Sequence, residues 1–119
     1  MATQSAYEPP TADYAFLYEE AFGLDVVARA TGGALTASDA EEVLAGAGSF
    51  AASVLAPLNA VGDRDGARLV DGQVRMPEGF AAAYRQFADA GWISAEAPVS
   101  AGGDGLPGVV RAGLGELWH

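Results

Sequence analysis

Three aspartates, Asp63, Asp65 and Asp71, sit among glycines in GDRDGARLVDG, residues 62–72. Carboxylates at alternate positions suit a calcium loop, which also needs a glycine at its sixth position and a bidentate glutamate at its twelfth. Counted from Asp63, those positions hold Arg68 and Val74. The pattern therefore reads as solvated loop carboxylates with Arg64 or Arg68 as partners. AGGDGLPG, residues 101–108, has the glycine density of an anion nest. A phosphate loop also needs a lysine, and the chain has none. A dinucleotide loop needs a preceding strand, and no strand pattern precedes this one. The stretch reads as a tight turn that aims the helix after it. His119, the only histidine, has no second histidine or cysteine with which to form a zinc site or a triad, and reads as inert. Glu19-Glu20 and Glu41-Glu42 are adjacent pairs that point about 100° apart on a helix, so they read as solvated surface. Phe50, Phe80, Tyr84 and Phe87 recur at helical core spacing. No residue is assigned a catalytic, cofactor-binding or metal-binding role.

The elements that would position such residues fit one domain. The chain has 119 residues, half of them hydrophobic and 18% charged, a composition suited to a packed domain rather than to disorder. Sixteen acids against six arginines give a net charge of −10, divided as −7 over residues 1–60 and −3 over residues 61–119. Such a surface repels nucleic acid and anionic membranes, whose partners cluster Lys and Arg. The absence of cysteine excludes disulfides and thiolate metal sites. MATQSAYEPPTADY has neither the basic region nor the apolar run of a signal peptide. No uninterrupted stretch of ~18 apolar residues occurs, so no membrane-spanning helix is expected and a cytoplasmic location is.

Hydrophobic periodicity predicts an all-α fold, a small bundle of four to five helices with a short β-hairpin excursion. TADYAFLYEEAF predicts a helix capped by Asp13, with Phe16, Leu17 and Ala21 inward and a stop at Gly23. LDVVARAT continues it to Gly32-Gly33. Ser38-Asp39-Ala40-Glu41 fits a capping box. The apolar stripe that follows, Val43 to Leu58, is kinked by Pro57 and ended by Gly62. Leu69-Val70 and Val74 flank the turn signal Asp71-Gly72 and predict a miniature hairpin. A third helix opens near Pro77-Glu78, buries Phe80, Ala83, Tyr84, Phe87 and Ala88, and ends at Gly91. Trp92 and Ile93 are expected to fold back on it. Pro107 starts a fourth helix with Val110, Leu114 and Leu117 or Trp118 inward. Because methyl groups bury little area, the core is expected to lean on Phe50, Phe80, Tyr84, Phe87, Trp92 and the leucines. The apolar last turn at Leu117-Trp118 suggests a chain cut from a longer one.

In order and spacing, APLNAVGDRDGARLVDGQVRMPEGFAAAYRQFADAGW, followed by AP, GGDGLP and ELW, resembles the N-terminal helical domain of acyl-CoA dehydrogenases. More narrowly it is similar to the larger bacterial group of the 3-methylmercaptopropionyl-CoA dehydrogenase kind, in which an added helical segment such as YEPPTADYAFLYEEAF comes first. On this resemblance residues 1–36 are the N-terminal extension and residues 37–119 the N-terminal helical domain, truncated at its C-terminal end. Two departures, Ala101 in place of a common aromatic and Asp104 in place of a common glutamine, alter the glycine loop. The resemblance implies a parent enzyme that dehydrogenates an acyl-CoA thioester between its α and β carbons. It implies FAD between a middle β-domain and a C-terminal helical bundle, and a glutamate base in that bundle, all outside residues 1–119. It further implies the remaining domains of the same chain, an acyl-CoA substrate, a homo-oligomer and an electron-transfer flavoprotein as partners. The helices here would wall one side of the acyl pocket, with the region near Glu116 approaching the acyl tail, and would be inactive alone. The same lack of chemistry also suits a short non-catalytic partner subunit or a helical interaction module.

Overall fold

From Ala37 to Asp65 the chain runs as one 29-residue helix with a change of pitch inside it. The computed structural model describes residues 6–23 and 25–119; residues 1–5 and Leu24, the first residue of LDVVARAT, lie outside the described residues. The first part of the long helix, α3 (Ala37–Phe50), opens on a capping box. Its members are Thr36 and Asp39, not Ser38 and Glu41. The Asp39 N–H donates to Thr36 Oγ1 at 3.2 Å, and the Thr36 N–H donates back to the Asp39 carboxylate at 2.6 Å. In the helix so started, Ala37 and Ala40 are buried in the core. The two bonds from Thr36 hold the Asp39 carboxyl below the usual carboxylate range.

Ala51–Leu55 then widen into a π-turn before α4 (Ala56–Asp65) resumes the ordinary pitch. Pro57 explains the position of this turn, because proline offers no N–H and its ring crowds the carbonyl four residues back. A local π-turn absorbs that clash without ending the helix. The helix passes Gly62 and stops at Gly66, whose φ of 58° breaks it. Gly62 is thus a contact glycine rather than a terminator: a Cβ there would lie 2.9 Å from Phe80 Cζ. GDRDG is the last helical turn and its stop, not a free loop.

The chain before α3 forms α1 (Thr11–Phe16), a π-turn at Leu17–Ala21, and α2 (Val26–Ala30). Pro10 precedes α1 and no side chain caps it, so the expected Asp13 cap is absent. Its inward residues are Tyr14 and Tyr18, one turn apart. Phe16 is 59% exposed, and Leu17 and Ala21 are also exposed, contrary to the periodicity reading. The hydroxyls account for the choice, since each tyrosine fills the core and bonds to the last helix, α6 (Gly108–Trp118). Tyr14 Oη lies 3.1 Å from Glu116 Oε2 and 3.4 Å from the Gly113 carbonyl, while Tyr18 Oη donates to the Val109 carbonyl at 3.0 Å. Beyond α2, Thr31 Oγ1 donates to the Val27 carbonyl and accepts from the Leu35 N–H, and Gly32 and Gly33 close the element.

The hairpin forms where expected. β1 (Arg68–Val70) pairs antiparallel with β2 (Gln73–Arg75), Leu69 opposite Val74. Asp71 and Gly72 have φ of 51° and 75°, the two left-handed positions of a type I′ turn. Helix α5 (Phe80–Asp89) begins after a left-handed Gly79, later than the Pro77-Glu78 start expected, and ends at Gly91 as expected. Ala83 is buried and Phe80, Phe87 and Ala88 are half-buried, but Tyr84 is 66% exposed. Trp92 turns back onto Trp118, with ring centroids 5.4 Å apart, whereas Ile93 is exposed.

The resulting fold is mostly helical with one two-stranded hairpin. Its core is narrower and more aliphatic than the aromatic count suggested. Leu44, Leu114, Val27 and Val110 are the largest fully buried side chains, joined by Tyr14, Tyr18 and several alanines. Small residues let α3 and α6 approach closely: a Cβ on Gly113 would meet Leu44 Cδ2 at 2.8 Å. Phe50, Phe87 and Trp118 pack edge to face beside this core, and Trp92 joins them tilted against Trp118, with centroids 5.0–6.1 Å apart. The molecule is a slab of 52 × 40 × 17 Å. Its radius of gyration, 16.9 Å, exceeds the about 13–14 Å of a compact domain of this length. A body this thin leaves most of its large aromatics half-buried or exposed towards its edges.

Candidate functional site

Among the described residues an open cleft of about 800 Å³ stands out. Three parts of the chain build it: the turn after α2 (Thr31, Leu35), Val43 of α3, and the segment from Trp92 to Pro107. Its lining is mainly apolar, with Asp104 and Thr31 the polar side chains and Trp92 the large one. This volume lies in the range of small-ligand clefts. The glycine-rich loop forms one wall, and its shape is fixed by its own backbone. The N–H groups of Gly102, Gly103, Gly105 and Leu106 donate to the carbonyls of Val99, Pro98, Ala97 and Ala95. Gly102 and Gly105 take positive φ, and a Cβ on Gly103 would stand 2.1 Å from the Ala97 carbonyl oxygen. The loop is therefore a folded turn that sets the start of α6, not an anion nest: the amides that would cradle a phosphate are engaged internally.

A second apolar groove, about 350 Å³, lies between α4 and α5 against Trp118, with Leu58, Phe80, Tyr84 and Phe87 along it. Neither concavity gathers the acidic residues singled out in the sequence. Asp65 pairs with Arg64 at 2.8 Å, and Arg68 donates to the Asp65 carbonyl at 3.1 Å. This pairing holds the Asp65 carboxyl below the usual carboxylate range. Among the described residues no three His, Cys, Asp or Glu side chains converge as a metal site would require. His119 Nδ1 lies 2.8 Å from the Gly115 carbonyl, within its own helix. Glu19, Glu20 and Glu42 are exposed, whereas Glu41 differs from the surface reading. It is half-buried, one of its oxygens is enclosed without a hydrogen-bond partner, and its charge, after burial itself, raises the Tyr18 phenol.

Glu116 faces the N-terminal segment, accepting from Tyr14, rather than the large cleft. Burial, then the hydrogen bond to Glu116, hold the Tyr14 phenol far above its ordinary value. The residues that bind the two halves of the slab, Tyr14 and Tyr18, carried no sequence signal beyond their four-residue spacing. Loops 31–35 and 92–107 meet only in three dimensions, and no local motif announces the cleft between them. The described residues do not fit FAD: the one glycine loop spends its amides internally, and no basic side chain lines the cleft.

Helix Ala37–Asp65 has the length and composition to cross a bilayer although its apolar residues do not form an uninterrupted run, contrary to the expectation of no such helix. Leu44, Ala47 and Ala51 of that helix lie in the core of this molecule, and carboxylates stand at both its ends.

Fold and site together define a mostly helical scaffold with a mainly apolar cleft, in which no group of acid–base side chains converges among the described residues. The chain is 40% identical over 112 residues, 93% of its length, to the 3-methylmercaptopropionyl-CoA dehydrogenase of Ruegeria pomeroyi, an acyl-CoA dehydrogenase. The resemblance to acyl-CoA dehydrogenases drawn from the ordered loops is thereby shown. The chain spans 19% of the length of that relative. No protein-family profile matches the chain.

Proposed function

We propose that these residues form the N-terminal helical wall of an FAD-dependent acyl-CoA dehydrogenase, with the cleft between Thr31, Val43, Trp92 and Asp104 turned toward neighbouring domains. The carrying observation is the 40% identity along 93% of the chain. The cleft supports it, being apolar, open and free of converging acid–base groups. In this reading residues 1–36 are the extension and residues 37–119 the N-terminal domain, fastened together by the Tyr14 and Tyr18 hydroxyls. The base that removes the α-proton and the residues that hold the flavin belong to other parts of the enzyme. This segment supplies shape and excludes water from one side of an acyl group, a positioning role. Its partners are the remaining domains, an acyl-CoA, further subunits and an electron-transfer flavoprotein, in the cytoplasm.

The test is direct. The purified 119-residue chain, mixed with FAD and an acyl-CoA, is expected to retain no flavin after gel filtration and to form no α,β-unsaturated thioester. Stoichiometric flavin retention or turnover would contradict the proposal.

A further inference from the structure

Asp104 is the one charged side chain on the lining of the 800 Å³ cleft. Among the described residues no arginine lies within ion-pair distance of it, and no arginine lines the cleft. The other polar side chain there, Thr31, spends its hydroxyl proton on the Val27 carbonyl at 2.9 Å. The glycine loop that carries Asp104 is equally one-sided. Its amides at Gly102, Gly103, Gly105 and Leu106 donate inward, which leaves only that of Asp104, whereas the carbonyls of residues 102–106 accept no backbone hydrogen bond among the described residues. The loop thus has acceptors to spare and almost no donors.

The rest of the lining is apolar, with Leu35, Val43 and Leu106 around one large ring, Trp92. Trp92 packs against Trp118, which does not line the cleft, so the indole stands between that neighbour and the open space. An unpaired carboxylate, an indole and an aliphatic wall in one concavity restrict what can fill it. An anion is repelled by Asp104. A neutral alkyl group would press against the carboxylate and strip its water without supplying a counter-charge. A bare metal ion needs several oxygen ligands, and one carboxylate beside an indole does not supply them. A quaternary ammonium satisfies all three surfaces at once, because its charge is spread over methyl groups that suit both an aromatic face and aliphatic neighbours. We infer that this cleft takes a small alkylated organic cation, a quaternary ammonium head, held by the Trp92 ring and the Asp104 carboxylate. Such binding belongs to this chain's own cleft, so it can fail while the wall assignment holds, and the reverse.

The probe is choline, titrated into the 119-residue chain and followed by tryptophan fluorescence and by amide resonances. Saturable binding is expected, with the shifts concentrated at Thr31, Gly105 and Leu106. The neutral analogue of choline, with carbon in place of the quaternary nitrogen, has the same shape and is expected to bind about tenfold more weakly. Because an acidic chain attracts any cation, Asp104→Asn decides whether the cleft is responsible: it should weaken choline by about tenfold and leave the neutral analogue unchanged. Asp104 is exposed, so this variant keeps its fold. Trp92→Leu, checked for unaltered far-UV dichroism, should weaken choline to a similar degree. Raising the salt concentration should weaken choline and not its analogue. No saturable binding, equal affinity for the two probes, or indifference to Asp104→Asn overturns the proposal. So does methylammonium binding as tightly as tetramethylammonium, which would point instead to a lysine side chain as the natural occupant.

Discussion

Two glycines of α6, two residues apart, should respond to the same substitution with opposite signs. Gly113 and Gly115 both lie in helical conformation, so alanine gains up to about 1 kcal/mol of helix propensity at either position. Their surroundings differ. A Cβ on Gly115 meets nothing within 4 Å. A Cβ on Gly113 would stand 2.8 Å from Leu44 Cδ2 and 3.1 Å from Cδ1, and Leu44 is itself fully enclosed, so its methyls have nowhere to retreat. Inserting a methyl into such a contact costs about 1–3 kcal/mol. Gly113→Ala therefore destabilises by about 1 kcal/mol net, Gly115→Ala stabilises by up to about 1 kcal/mol, and the two variants differ by about 2 kcal/mol. Urea denaturation followed by far-UV circular dichroism resolves this, as does thermal melting at about 4 °C per kcal/mol. Two shifts of the same sign would refute the close α3–α6 approach at Leu44.

Four further expectations concern the elements that join the slab. Phe50→Ala should cost about 2 kcal/mol, below the about 3–5 of a fully enclosed phenylalanine, because Phe50 is half-buried within the aromatic cluster; a denaturation midpoint unchanged from wild type would remove it from that cluster. Tyr18→Phe should cost about 1 kcal/mol by leaving the Val109 carbonyl without its donor, and an unaltered midpoint would show that this bond is replaced by water. Thr36→Ala should cost about 1 kcal/mol in the same assay, whereas Ser38→Ala should be nearly silent; the reverse order would restore the Ser38 cap. The Asp39 carboxyl titrates below its unfolded value, so its contribution is present above the ordinary carboxylate range and lost as pH falls through that range and below it. Asp39→Asn should accordingly flatten the acid limb of a stability–pH curve, and parallel curves for variant and wild type would contradict this.

What the sequence made legible was what depends on neighbours in the chain. The Asp71-Gly72 hairpin, the Gly91 and Gly32-Gly33 stops and the inward face of α6 follow from local conformational preference and periodicity. Two rules competed at Thr36-Ala37-Ser38-Asp39, since both Thr36 and Ser38 satisfy the capping pattern. The helix is capped by Thr36, with Ala37 buried in the core, which the local pattern alone does not distinguish. At Gly62 the reading as a terminator failed because its missing side chain serves Phe80, a contact across two elements. Tyr14 and Tyr18 displaced the more apolar Phe16 and Leu17 for a similar reason: their partners are carbonyls and a carboxylate about a hundred residues away. The aromatic face of α5 was read as core on spacing alone, and the thinness of the slab left Tyr84 outside. The cleft between residues 31–35 and 92–107 has no local signature, because the segments that line it are about sixty residues apart in the chain and meet only in the folded molecule.

The wall assignment is tested most directly by transplanting the segment. In the Ruegeria pomeroyi relative, the region aligned with these 112 residues is replaced by this chain, and oxidation of 3-methylmercaptopropionyl-CoA by the chimaera is measured. The account predicts a folded chimaera that retains measurable dehydrogenase activity. A chimaera that folds and assembles as the relative does yet oxidises no thioester would contradict it.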